Sequence, residues 1–202
     1  MKKILSLVLA LSLCLCMGVT AFAAEVNTNG GTGSTPVSLS STDDGTIGGD
    51  PAATAMSVTV PTAFPMAMAQ NGDVTTATDC KIINNSYGPV RVKSVTLNAA
   101  NGWKLTAFGN KSTLANEKVD SNKFGFSVTI GGGTAVKTDA SNASTQKLIA
   151  SPVTGSYMSG VGNTSGNSIP VQYSAIVTPL SAPVTNANIA NVVFVIEWDT
   201  AA

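Results

Sequence analysis

The chain has 202 residues, with 11 Lys+Arg against 11 Asp+Glu, three cysteines and no histidine. The missing histidine removes Ser-His-Asp and Cys-His nucleophilic sites and the usual zinc ligand sets. Balanced charge, with Arg91 as the sole arginine, leaves no basic stripe to displace counterions from phosphates, so nucleic acid is excluded as a partner.

In chain order, Lys2 and Lys3 precede an apolar run from Ile4 to Val19, and Ala21-Phe22-Ala23 supplies small residues at a cleavage site. This is the pattern of a secretory signal peptide, residues 1–23. The run is shorter than the roughly 20 residues a membrane span needs, and polar sequence follows it. Cys14 and Cys16 each follow a leucine, which does not resemble a lipidation site. Cleavage removes both cysteines and two lysines, leaving a slightly acidic mature chain with Cys80 alone. One cysteine forms no internal disulfide, so packing must hold the fold. Cys80, in the alternating stretch Thr78-Asp79-Cys80-Lys81-Ile82, is expected on a buried apolar face. The last residues, Asp199-Thr200-Ala201-Ala202, carry no sortase-type signal, and no membrane span is expected after cleavage.

Residues 24–54 are rich in Gly, Ser, Thr, Asn and Asp and read as a flexible N-terminal leader, because such a segment has too little apolar surface to offset the entropy of ordering. Within it Pro36-Val37-Ser38-Leu39-Ser40 alternates as a short edge strand would. Residues 55–202 are expected to form the folded domain.

From Met56 the period becomes two. Val58 and Val60 alternate with polar residues, then Phe64, Met66 and Met68 lead to Asn71-Gly72, a tight-turn dipeptide. Val74 to Ile83 reads as the next strand. Val90-Arg91-Val92 and Val95-Thr96-Leu97 each alternate, but the phase slips at Lys93-Ser94, where a β-bulge restores both to one face. Asn101-Gly102 between Val95–Ala99 and Trp103–Phe108 is a hairpin signal. Phe124, Phe126, Val128 and Ile130 mark a strand ended by Gly131-Gly132-Gly133. The polar region 137–168 reads as loop with a short helix near 142–149. Val171 to Val177 alternates. In the last strand, Asn191 to Thr200, Val192, Phe194, Ile196 and Trp198 share one face, and Val193, Val195, Glu197 and Asp199 the other.

About eight short strands with turn signals predict an all-β fold, an immunoglobulin-like or Greek-key β-sandwich, with an up-and-down barrel as the second choice. A charge in place of Phe126 or Phe194 is expected to abolish folding.

Candidate chemistry is sparse. Ser144-Thr145-Gln146-Lys147 fits Ser-x-x-Lys, but Ser141-Asn142 and Lys137-Thr138-Asp139 fail as its companions. Glu197 and Asp199 lie two apart on a strand, roughly 6–7 Å, a spacing that does not forbid a glycosidase pair, but a solvated outer face is the favoured reading and no companion cleft is readable. Asp43-Asp44-Gly45 with Asp50, and Asp120 with Asn122, offer loop oxygens to calcium without matching an EF-hand loop. Trp103 and Trp198 are sugar-stacking candidates, but their apolar neighbours favour core packing. The sequence therefore assigns no catalytic, cofactor-binding or metal residues and points away from an enzyme.

Val58-Thr59-Val60-Pro61, Asn71-Gly72, Lys81-Ile82-Ile83-Asn84-Asn85-Ser86, Gly88-Pro89-Val90, Asn101-Gly102-Trp103 and Phe194-Val195-Ile196-Glu197-Trp198 form a series. Over residues 56–199 it resembles secreted surface proteins of Gram-positive anaerobes. It is loosely similar to WxL-type cell-surface domains and camelysin/TasA-like matrix-fibre subunits. Glu197-Trp198-Asp199 stands where the first group has Trp-x-Leu. The resemblance implies a non-catalytic extracellular role at the wall or in a biofilm matrix. Its partners would be other copies of the chain or cell-wall and surface components. In a sharper form, the Val37–Leu39 strand adds to a neighbour's sheet edge.

Overall fold

The computed structural model describes residues 39, 41–46, 49, 52–162 and 165–200. The expected signal peptide, most of the leader, Asp50 and the expected edge strand at 36–40, Leu39 excepted, lie outside those residues. Leu39 is exposed and in no strand. Contacts divide the chain after Thr54, and the unit Ala55–Ala202 is all-β.

The unit opens with β1 (Val58–Thr59) and a hairpin of β2 (Met66–Met68) and β3 (Val74–Thr76). Asn71-Gly72 closes that hairpin as its sequence predicts. The Gly72 amide donates to the Ala69 carbonyl at 2.9 Å, and the Asn71 side chain accepts from the Asp73 amide at 3.1 Å. The single strand expected over 74–83 is instead two, β3 and β4 (Lys81–Asn84), which both lie along β12 (Ser168–Val177). Tyr173 of β12 fills the break. Its hydroxyl donates to the Pro65 carbonyl at 2.6 Å and accepts from the Ala77 amide at 3.1 Å, while its ring packs edge-on against Phe64.

β5 (Val90–Ala99) is the spine of the second sheet. Val92 and Val95 are both fully buried although three residues apart, because Lys93 is an extra residue in the ladder with β13 (Ala190–Trp198): Ser94 faces Val195, and Val92 faces Ile196. This is the bulge that the phase slip predicts.

Asn101-Gly102 makes its turn but not its hairpin. Both residues have positive φ, 48° and 81°, and the Trp103 amide donates to the Ala100 carbonyl at 3.0 Å. The next strand, β6 (Lys104–Thr106), then leaves β5 and pairs in parallel with β7 (Lys123–Ile130) in the first sheet. Turn chemistry sets the reversal, not the pairing. Here β5 pairs with β13 on one side and with β10 (Thr145–Ile149) and β11 (Tyr157–Met158) on the other.

The helix lies at Lys111–Ala115 (α1), against β12, and Leu114 is its buried residue. The helix expected near 142–149 is absent. That stretch is β9 (Ser141–Ala143), paired with β6, and then β10, paired with β5. Asn142 has a φ of 59°, and the chain steps from one sheet to the other across Ser144. A single continuous segment thereby supplies an edge strand to each of the two sheets.

The first sheet runs β1-β4-β12-β7-β6-β9, with β8 (Val136–Lys137) also on β7. Where the neighbour of β7 changes from β6 to β8, Thr138 bridges. Its hydroxyl accepts from the Phe126 amide at 2.9 Å and donates to the Thr106 carbonyl at 2.6 Å. Both larger sheets contribute to one buried cluster, including Ile82, Val95, Leu97, Leu105, Phe124 and Val171.

Candidate interaction surface

Ser144 and Lys147 are both exposed, in and beside an extended strand. Three residues apart on a strand, their side chains point to opposite faces. The helical turn that Ser-x-x-Lys chemistry requires is not there, and no lysine-activated serine forms.

Glu197 of β13 and Asp199, one residue beyond its end, are both held by cations. Glu197 faces Arg91 across the ladder. Arg91 donates from Nε to Glu197 at 2.9 Å and from Nη1 to Asp199 at 3.2 Å, and Lys93, the bulge residue, reaches the other Glu197 oxygen at 2.8 Å. Hydrogen bonds from Lys93 and then Arg91 hold the Glu197 carboxyl below the usual carboxylate range. A glycosidase acid needs its pKa raised, so this arrangement opposes that role and supports a charge-paired outer face.

Turn chemistry also accounts for the calcium candidates. The Asp120 carboxylate accepts from both the amide and the hydroxyl of Ser181, which lowers its pKa. Asp120 and Asn122 adopt positive φ, the left-handed turn role their side chains suit. Asp44 accepts from the Thr46 amide at 2.8 Å. No group of three or more acidic, cysteine or histidine side chains capable of holding a metal occurs among the described residues.

Trp103 is buried and packs edge-on against Phe124, with centroids 6.2 Å apart. Trp198 is half-buried, its ring 3.0 Å from where a Cβ on Gly88 would sit. Both pack against the core, Trp103 wholly and Trp198 in part, as their apolar neighbours predict. Among the described residues, the aromatic residues most exposed to solvent are Tyr87, 82%, and Tyr157, 52%; both adjoin turns rather than strong alternating runs, so neither has a signal in the sequence. Cys80 is half-buried at the margin of the core rather than fully buried, and desolvation pushes its thiol pKa up.

Among the described residues, the longest strand with a single neighbour is β13, which pairs only with β5. Its inward residues Val192, Phe194, Ile196 and Trp198 pack on the core but are only half-buried, and Val193 and Val195 on the outer face are each 44% exposed. Its faces thus follow the alternation read from sequence, while its free edge could not be read there.

Comparison with protein-family models, curated proteins and solved structures returns no match.

Proposed function

We propose that this chain is a secreted, non-enzymatic structural or interaction protein of the cell surface or extracellular matrix, working by contact with copies of itself or with wall components. The uncovered nine-residue edge of β13, with valines facing outward, carries the reading. Natural sheets shield long apolar edges unless a partner covers them. The paired acids on the outer face and the turn-bound aspartates add support, since each has a structural partner. An immunoglobulin-like or Greek-key arrangement of the two sheets, export by a signal peptide, adhesion or biofilm association, and the WxL- or TasA-like relationship all belong to this proposal. Fractionation of the producing cells, with electron microscopy of the chain beginning at Ala24, tests it. Surface or medium location with ordered assemblies is the expected result, and uncleaved protein in the cytosol would end the proposal. If the Val37–Leu39 strand is the connector, deletion of residues 24–54 abolishes assembly.

A second reading, a carbohydrate- or wall-binding module, draws on Tyr87 and Tyr157, whose exposed rings suit sugar stacking. Retention on purified peptidoglycan or polysaccharide that is lost in Tyr87→Ala would favour it, and no retention on any of them would remove it.

A further inference from the structure

We infer that β13 pairs with β13 of a second copy, antiparallel about a two-fold axis, joining the two β5-centred sheets into one. The inference rests on the self-association in the reading above but names a different contact from the leader strand.

Three observations carry it. First, the other edges are blunted or used. β1 has two residues and is followed closely by Pro61, β11 has two residues, β9 has three, and the five residues of β10 are interrupted by a register shift between Lys147 and Ile149. β13 alone combines length with an open edge among the described residues. Second, that edge is regular. The extra residue of the β5–β13 ladder, Lys93, belongs to β5, so no bulge turns β13 away from a neighbour. From Ala190 to Ile196 the strand holds no proline, glycine or charge, the devices that usually protect an edge. Third, the charge distribution suits a two-fold pair. The acids Glu197 and Asp199 occupy one end only, and Ala190-Asn191 the other. Antiparallel pairing centred on Phe194 sets Val193 against the partner's Val195, Val192 against the partner's Ile196, and Asn191 against the partner's Glu197. No carboxylate then meets a carboxylate. Parallel self-pairing in register would stack Glu197 on Glu197 and is disfavoured. Arg91 and Lys93 further neutralise the acidic end.

The test is the solution mass of the chain beginning at Ala24, by light scattering or sedimentation over a concentration series. The wild type should approach twice the monomer mass. V193K/V195K alters only outward side chains and brings lysines opposite each other across the axis, so it should remain monomeric with an unchanged circular dichroism spectrum. Mixed with V193E/V195E, it should recover the doubled mass through a mixed pair. V37K/L39K should leave the doubled mass intact. A monomeric wild type at every concentration, or a V193K/V195K chain that still doubles, overturns the inference. If V37K/L39K alone prevents doubling, the contact lies in the leader, and the broader proposal stands without this one. Should the lysine variant misfold, hydrogen exchange on the wild type decides. Protection of the β13 amides that rises with concentration supports the pair, and concentration-independent exchange refutes it.

Discussion

Replacing Thr138 by valine tests whether the fold depends on one hydroxyl at the point where β7 changes neighbours. The two side chains have nearly the same shape, so the substitution removes hydrogen bonds without opening a cavity. Thr138 is only 2% exposed, and its hydroxyl is the acceptor for the Phe126 amide and a donor to the Thr106 carbonyl. Valine leaves a buried N–H without this acceptor, a loss of about 1–3 kcal/mol, and the carbonyl without this donor, which adds about 1 kcal/mol. A total of about 2–4 kcal/mol lowers Tm by roughly 5–15 °C for a unit of this size. Thr138→Ser keeps the hydroxyl and removes a methyl, costing about 1 kcal/mol. Thermal and urea unfolding followed by circular dichroism separate the two. A valine variant within about 0.5 kcal/mol of wild type, or a serine variant as damaged as the valine one, would show that the hydroxyl does not bridge β6 and β7.

Three further outcomes follow from the same geometry. Gly131→Ala should cost more than about 4 kcal/mol and give little soluble protein, because its Cβ would lie 1.9 Å from the Gly155 carbonyl oxygen at a φ of +57°. Gly72→Ala, at a φ of +80° in open space, should cost only about 1 kcal/mol, the left-handed penalty alone. Phe126→Asp should abolish folding, as Phe126 is 3% exposed. Phe194→Asp should still yield a folded chain with reduced Tm, because Phe194 is only half-buried at an edge; this replaces the sequence-based expectation that both positions are equally intolerant. For pH, Glu197 is depressed from 4.5 by its cations. Its contribution is therefore fully present above that value and lost as pH falls through the lower folded-state pKa. The Tm of wild type should decline below about pH 4.5 more steeply than that of Glu197→Gln. Parallel pH profiles would contradict the ion-pair assignment.

Much of the fold was legible where one residue pattern had one structural solution. Asn71-Gly72 closes a hairpin, the slip at Lys93-Ser94 is a bulge, and the two faces of β13 separate as alternation requires. Legibility failed where local signals leave pairing open. Asn101-Gly102 turns the chain in the manner its residue types dictate, yet β5 and β6 go to different sheets, because partner choice depends on strands nearly 50 or 100 residues away. Residues 141–149 lacked strong alternation, and their strands owe their existence to partners on both sheets. Thr138 carries no sequence signal at all; a buried threonine that bridges two strands looks like any threonine in a polar stretch. For the surface, composition excluded histidine-based chemistry from the start, while the openness of β13 is a property of which strands stand beside it.

The two sides of the folded unit are built on opposite principles, and this asymmetry links stability to function. On one side the continuous β9–β10 segment passes from sheet to sheet and supplies each with a short edge strand, that of β10 broken by a register shift. On the other, Phe64 reaches both Tyr173 of the first sheet and Phe194 of the second, with centroids 4.8 Å and 6.2 Å away. That aromatic contact covers the inner face of β13 but leaves the backbone edge beyond it open. A chain held by packing alone, with only Cys80 among its described cysteines, gains stability from any partner that binds the folded form and not the unfolded one. Association through β13 would thus raise the melting temperature with concentration, whereas contact through loops such as that bearing Tyr87 would leave the half-buried Val192, Phe194 and Ile196 as exposed as before. Association through any surface raises Tm with concentration, so it is the loss of that dependence in V193K/V195K that assigns the contact to β13.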